Sequence, residues 1–147
     1  MRPLADRYSD ANPATVNDEP SLTDIEVADK TRFVGAYAVT GDKAEKAALV
    51  RALLAARVPV VIESFVDSAY ERLGSGVVVD HCDQHDPKGG GHCEVILAYK
   101  TAADGSTLFL VRNSWSRFWG DDGSVWVTER FLDEAWALYA VDVRRVS

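Results

Sequence analysis

This sequence predicts an α+β fold, one main helix on a mostly antiparallel sheet, from three observations. One stretch, Lys43–Arg57, combines helical apolar periodicity with a capping signal. Around it lie short β-branched or aromatic runs bounded by Gly, Pro and Asp, among them Val58–Phe65, Glu94–Lys100, Thr107–Arg112 and Ser124–Thr128. A hydrophobic content of 47% in 147 residues suffices to bury one ordinary core, so one domain is expected.

Residues 1–23 are rich in Pro, Asn, Asp, Ser and Thr and show no apolar period. An extended arm is therefore expected over 1–30, ahead of a folded domain over 31–147. Arg32–Val39 (RFVGAYAV) is apolar enough for a strand. Gly41-Asp42 offers a turn, with Asp42 as N-cap and Glu45 at capping-box spacing, and a helix should come next. On that helix Leu49, Leu53 and Ala56 share one face with Val50 and Leu54 beside them, the pattern of a helix packed on a sheet. Pro59 stops it. Val58–Phe65 (VPVVIESF) then reads as a strand buried on both sides, with Glu63 the odd member. A helical turn near Asp67–Leu73 leads to Val77–Val79. The runs Glu94–Lys100 and Thr107–Arg112 form a hairpin around Asp104-Gly105. A strand at Ser124–Thr128, a short helix near Arg130–Glu134 and a last strand at Leu138–Val143 complete the pattern, with no internal repeat.

The formal charge is -7, and no run of Lys or Arg marks one face. This argues against a phosphate-backbone partner or an anionic membrane surface. The N-terminus turns acidic before any apolar run of signal-peptide length, and no stretch nears the roughly 18 apolar residues of a membrane span. With Met1 as the native start, a cytoplasmic protein is expected. Two cysteines do not make a disulfide framework.

All three histidines and both cysteines fall in HCDQHDPKGGGHC, residues 81–93. Three readings are open for it. Cys82, His85, His92 and Cys93 offer tetrahedral zinc ligands, but His92 and Cys93 are adjacent and would point to opposite faces of a strand. A Cys82–Cys93 disulfide fits the loop length in an oxidising setting. The third reading places His92 in a catalytic site completed elsewhere.

That third reading gains from three spaced segments: Gly90-Gly91-His92 entering a strand, then Arg112-Asn113-Ser114-Trp115, then Phe118-Trp119-Gly120-Asp121-Asp122-Gly123. In order and spacing these resemble the second lobe of the papain-like (C1-type) cysteine peptidases, from about Arg32 to Val143. The resemblance implies that lobe's fold, an antiparallel sheet or partial barrel with one main helix. It implies that His92 pairs with a catalytic thiol and protonates the leaving amine, and that Asn113 orients the ring without adding charge. Trp115 would shield their hydrogen bond and Trp119 would line the cleft. Cys93 and Glu63 would stand near a substrate pocket, making it less apolar than usual. Ser116 stands where the family usually has Gly. No metal or cofactor is implied.

The family's nucleophile segment, of C-G-S-C-W type, and its upstream oxyanion Gln have no counterpart here, since no cysteine precedes residue 82. Cys82 matches a structural cysteine of the family whose partner is missing, leaving a free thiol. Cys93 should point away from His92, into the core or a pocket wall. Two functional readings are then open. In one the chain is a peptidase module, inactive alone, that supplies His92 and Asn113 to a cysteine-bearing lobe on another polypeptide or a removed segment and acts on a peptide or protein. In the other it is a catalytically inactive pseudopeptidase that binds a protein or peptide. Either way a second chain or self-association should cover the inter-lobe face.

Overall fold

The elements form where local chemistry starts and stops them. The computed structural model describes residues 30–145, so the expected arm lies, Lys30 aside, outside the described residues. The first strand, β1 (Thr31–Ala38), is followed by helix α1 (Lys43–Ala55), which opens on the complete capping box: Asp42 accepts from the Glu45 backbone and Glu45 reaches back to that of Asp42. The helix ends two residues earlier than expected, because Arg57 adopts a positive φ ahead of Pro59.

Then come β2 (Val60–Val66), a 3-10 turn (Tyr70–Arg72), β3 (Val78–Val79), β4 (Gly90–Thr101) and β5 (Thr107–Arg112). After these, β6 (Ser124–Thr128), helix α2 (Glu129–Glu134) and β7 (Ala137–Arg145) complete the α+β fold. The strands make one sheet in the order β1-β7-β2-β4-β5-β6-β3. Only β3, beside β6, runs parallel to its neighbour. The chain thus places β4, which carries His92, at the centre of the sheet, with β2 and β5 on its flanks.

Two expectations need correction. The buried face of α1 is Ala47 and Val50, with Leu53 and Leu54 only partly covered, while Leu49 and Ala56 are exposed. The helix is rotated by about one residue, 100° of turn, from the expected face. Small side chains thereby approach the sheet, and Arg51 reaches the Thr107 hydroxyl at 3.2 Å. Second, β2 is not buried on both sides. Its residues alternate, with Val60, Ile62, Ser64 and Val66 fully inside and Val61, Glu63 and Phe65 half-covered. Helices cover one face of the sheet here, so a continuous apolar run still has a dry side and a damp side.

The core gathers Val60, Ile62, Ile96, Phe109, Val111, Val125 and Val127 of the sheet under Val50 of α1 and Phe131 and Leu132 of α2. Phe109, on the central hairpin, is among the largest fully buried side chains. Phe109→Ala is expected to cost about 3–5 kcal/mol of unfolding free energy, read as a lower urea midpoint at unchanged slope.

Candidate active site

The β4–β5 hairpin brings the two ends that matter together. His92 is the third residue of β4 and Asn113 directly follows β5, and the antiparallel pairing of the two strands brings both to the same end of the hairpin. His92 Nε2 lies 3.0 Å from Asn113 Oδ1. The same oxygen accepts from the backbone N–H of Ser114 at 2.6 Å and of Trp115 at 3.3 Å. Two backbone donors can face only the carbonyl end of an amide, which fixes the Asn113 orientation. His92 Nε2 must then be the protonated nitrogen and donate. Nδ1 is left as the acceptor, with no hydrogen-bond partner among the described residues.

Trp115 stacks on the imidazole, with ring centroids 4.4 Å apart and 26° between planes, and Asn113 is buried. Trp119 lies at the base of this aromatic cluster. It is 6% exposed, its indole N–H donates to the Tyr70 carbonyl at 2.9 Å, and it meets Trp115 edge-on. Because the indole nitrogen needs a buried acceptor, Trp119 is drawn under the cleft. It forms the floor of a depression of about 560 Å³ whose other walls include Trp115, Phe118 and Arg72. Trp115, Trp119 and Phe131 all touch the ring of Tyr70, so the site rests on the core through an aromatic stack.

On the opposite face of β4, Cys93 pairs across the sheet with Glu63. These two line a second cavity of about 260 Å³ together with Gly91, His92 and Trp136. Cys93 is exposed, so of its two expected places the pocket wall is the one it takes. Trp136 went unnoticed in the sequence. It sits between α2 and β7, its backbone N–H donates to the Glu63 carbonyl, and its ring lies where a Cβ on Gly91 would be 2.7 Å away. The Gly-Gly pair before His92 was the available signal.

Neither thiol hydrogen-bonds to His92 among the described residues, and both are free. Cys82 is buried, and desolvation pushes its thiol up to about 11. Cys93 is also held above the usual thiol range, first by desolvation and then by the Glu63 and Glu94 carboxylates. Thiols of this kind are poor nucleophiles near neutrality. Among the described residues, no three His, Cys, Asp or Glu side chains gather as a metal site. His81 lies 3.7 Å from Asp80 on the surface, and His85 is exposed.

A buried acid accompanies the site. Glu94, two residues beyond His92 on the same face of β4, is buried, and its carboxylate accepts from the Tyr70 hydroxyl at 2.9–3.0 Å. Desolvation raises its carboxyl to about 7, more than the Tyr70 hydrogen bond lowers it. The Tyr70 hydroxyl is itself pushed up, first by burial and then by Glu94.

A sequence model of the papain family cysteine proteases matches residues 8–134. The chain belongs to the papain family. Among curated proteins, P34 probable thiol protease of Glycine max is 27% identical over 89 residues, 60% of this chain and 23% of that one. Cathepsin B-like protease 1 of Arabidopsis thaliana is 44% identical over 34 residues, 23% of this chain and 9% of the relative. Among solved structures, bromelain from Ananas comosus bound to the E64 inhibitor superposes with a TM-score of 0.56 at 16% identity, covering 74% of this chain and 50% of bromelain. Procathepsin B S9 from Trypanosoma congolense gives 0.58 at 18% identity, over 80% and 37%. This papain-family chain thus spans half or less of the length of these relatives. The structural likeness is one of fold, a seven-stranded papain-type lobe with one main helix.

Within the papain-family lobe, Ser116 adopts φ +116, a region that L side chains rarely occupy. Ser116→Gly is expected to stabilise the protein by about 1 kcal/mol, measured as a raised thermal midpoint. Glu94 gives a pH dependence of definite sign. Between about 4.5 and about 7 the unfolded chain has released this proton while the folded one keeps it, so stability falls as pH rises through that window. The full difference is about 3 kcal/mol at 1.36 kcal/mol per unit. Urea titrations at pH 4.5 and pH 8 are expected to show this extra loss in the wild type and not in Glu94→Gln.

Proposed function

We propose that this chain supplies the His and Asn half of a cysteine-peptidase site and takes its thiol from a cysteine-bearing lobe on a second polypeptide or on a segment outside this chain. The observation that carries this reading is the state of His92: Nε2 is committed to Asn113, Nδ1 is an unpartnered acceptor among the described residues, and the residue lines the cavity it shares with Glu63, Cys93 and Trp136. A thiol brought to Nδ1 passes its proton there, leaving thiolate and imidazolium as an ion pair. The sulfur attacks the peptide carbonyl carbon. As the C–N bond breaks, the Nδ1 proton goes to the departing amine. Water then cleaves the thioester, with His92 taking a proton from it and returning one to the sulfur. Asn113 fixes the tautomer throughout, and Trp115 excludes water from its hydrogen bond. The peptide runs past His92, contacting Glu63, Cys93 and Trp136 on one side of it and Trp115 with Phe118 on the other.

A second reading rests on a different observation. Strand β1 is an edge strand with Phe33, Val34 and Tyr37 exposed, which suits a lobe that only binds a partner or peptide, with catalysis lost.

The two readings part in one experiment. The chain is co-expressed with the cysteine-bearing lobe of a papain-family protease, and hydrolysis of a fluorogenic peptide is measured. Turnover is expected only in the complex, falling by on the order of 10³-fold in His92→Ala and less in Asn113→Ala. A stable complex without turnover supports the binding reading. Turnover indifferent to His92→Ala, or turnover by the chain alone, overturns the two-lobe proposal.

A further inference from the structure

The cavity that His92 shares with Glu63, Cys93 and Trp136 holds a carboxylate beside an indole, with no cation among its walls. We propose that it receives a positively charged side chain of the peptide, arginine in preference to lysine, with the Glu63 carboxylate and the Trp136 ring as the recognising groups. This deepens the two-lobe reading by naming a substrate class, and it rests on that reading for its catalytic meaning.

The pocket is built into the middle of the sheet. Strand β2 lies between β7 and β4, and Glu63 pairs with Ala137 on one side and with Cys93 on the other. Because Ile62 and Ser64 turn into the core, alternation sends Glu63 and Phe65 to the face away from it. Trp136 closes the pocket. Its backbone N–H donates to the Glu63 carbonyl at 2.8 Å, and its ring tilts against Phe65 with centroids 6.4 Å apart. A Cβ on Gly91 would come within 2.7 Å of the indole, so the glycine lets that ring lie against β4, where it stays 61% exposed. A volume of about 260 Å³ falls just under the roughly 300–1,000 Å³ of pockets for whole small ligands, and suits one long side chain. His92 is part of the wall, so a side chain anchored here holds its own backbone near the imidazole.

Electrostatics select which side chain. Glu63 is the only carboxylate among the five lining residues, and it has no ion pair among the described residues. Cations elsewhere are taken: Lys46 by Asp133, Arg130 by Asp80 and Glu134, Arg144 by Asp142. Cys93 adds no charge to offset Glu63, since desolvation and then the Glu63 and Glu94 carboxylates hold its thiol above the usual range. An apolar side chain entering here strips water from a half-covered carboxylate and returns no hydrogen bond, and an acidic one is repelled. A guanidinium presents its planar fork to the carboxylate and its flat face to the indole, whereas an ammonium offers a point charge.

The test uses the whole chain and needs no partner. Blocked arginine (the N-acetyl, N-methylamide derivative) and its lysine and citrulline counterparts are titrated into ¹⁵N-labelled protein, and the Trp136 indole signal is followed. Arginine is expected to bind about tenfold more tightly than citrulline, which keeps the shape of the side chain and loses its charge. Lysine is expected between the two. The difference is expected to shrink as salt is raised and to vanish in Glu63→Gln. Trp136→Leu, followed at the Gly91 amide, is expected to weaken arginine several-fold. Arginine and citrulline binding equally within about twofold, or no shift at about 50 mM arginine, overturns the proposal, and both comparisons stand even if a variant does not fold. An unchanged ratio in Glu63→Gln overturns it as well. Since no hydrolysis is measured, failure of the two-lobe reading leaves this result standing. A two-lobe complex that cleaves peptides with no preference for arginine removes this proposal and leaves that reading intact.

Discussion

One carbonyl oxygen organises this lobe. Asn113 Oδ1 accepts from the backbone of Ser114 and Trp115 and from the ring of His92, so a single acceptor shapes the turn after β5 and selects the imidazole tautomer. Such an oxygen is costly to bury without donors and tightly held when it has three. The Asn113 backbone N–H also donates to the Gly123 carbonyl, which anchors the same residue to the following loop. Orientation of the histidine is thus built from local hydrogen bonds and needs no substrate.

The sheet carries that arrangement because His92 lies near the start of β4 while Glu94 and Ile96, on the same face, sink into the core. A strand that begins exposed and is buried toward its middle puts its first inward residue at the mouth of the cleft. Beneath it, Tyr70, Trp119 and Phe131 pack as one aromatic block, with the indole N–H of Trp119 satisfied by the Tyr70 carbonyl. Each ring adds buried area and a preferred contact angle, so Trp115 has little freedom to leave the imidazole. The cost of this support appears in two places: a serine at positive φ in the turn, and a carboxyl kept in the interior.

Much of this was legible in the sequence. The capping box of Asp42 and Glu45 and the hairpin around Asp104-Gly105 come from local signals, a cap and a turn dipeptide, whereas the pairing of His92 with Asn113 is implied by the resemblance to the papain-like peptidases. What was not legible depends on rotation and on three-dimensional neighbours. The covered face of α1 turned on which of several apolar residues met the sheet, and Leu49 lost to Val50 because smaller side chains let the helix approach. That Trp119 lines the depression from beneath shows only once the Tyr70 carbonyl is placed beside its indole nitrogen. Trp136 and Gly91 meet across an interval of 45 residues that no periodicity links. Glu94 reads as a solvated strand charge until its alternation with His92 and Ile96 shows that it faces inward.

Among the described residues, neither thiol lies against the His92–Asn113 pair. Cys82 is sealed in the core, and Cys93 stands on the other face of β4 beside Glu63, whose charge opposes thiolate formation. Everything turns on the state of one ring, and that state is directly measurable. Long-range ¹H–¹⁵N correlation of the His92 imidazole in the full chain, at a pH where it is neutral, tests it. The expected result is the Nε2–H tautomer, with that proton protected from exchange and Nδ1 unprotonated. An Nδ1–H tautomer, or a mixture of both in rapid exchange with solvent, would contradict it.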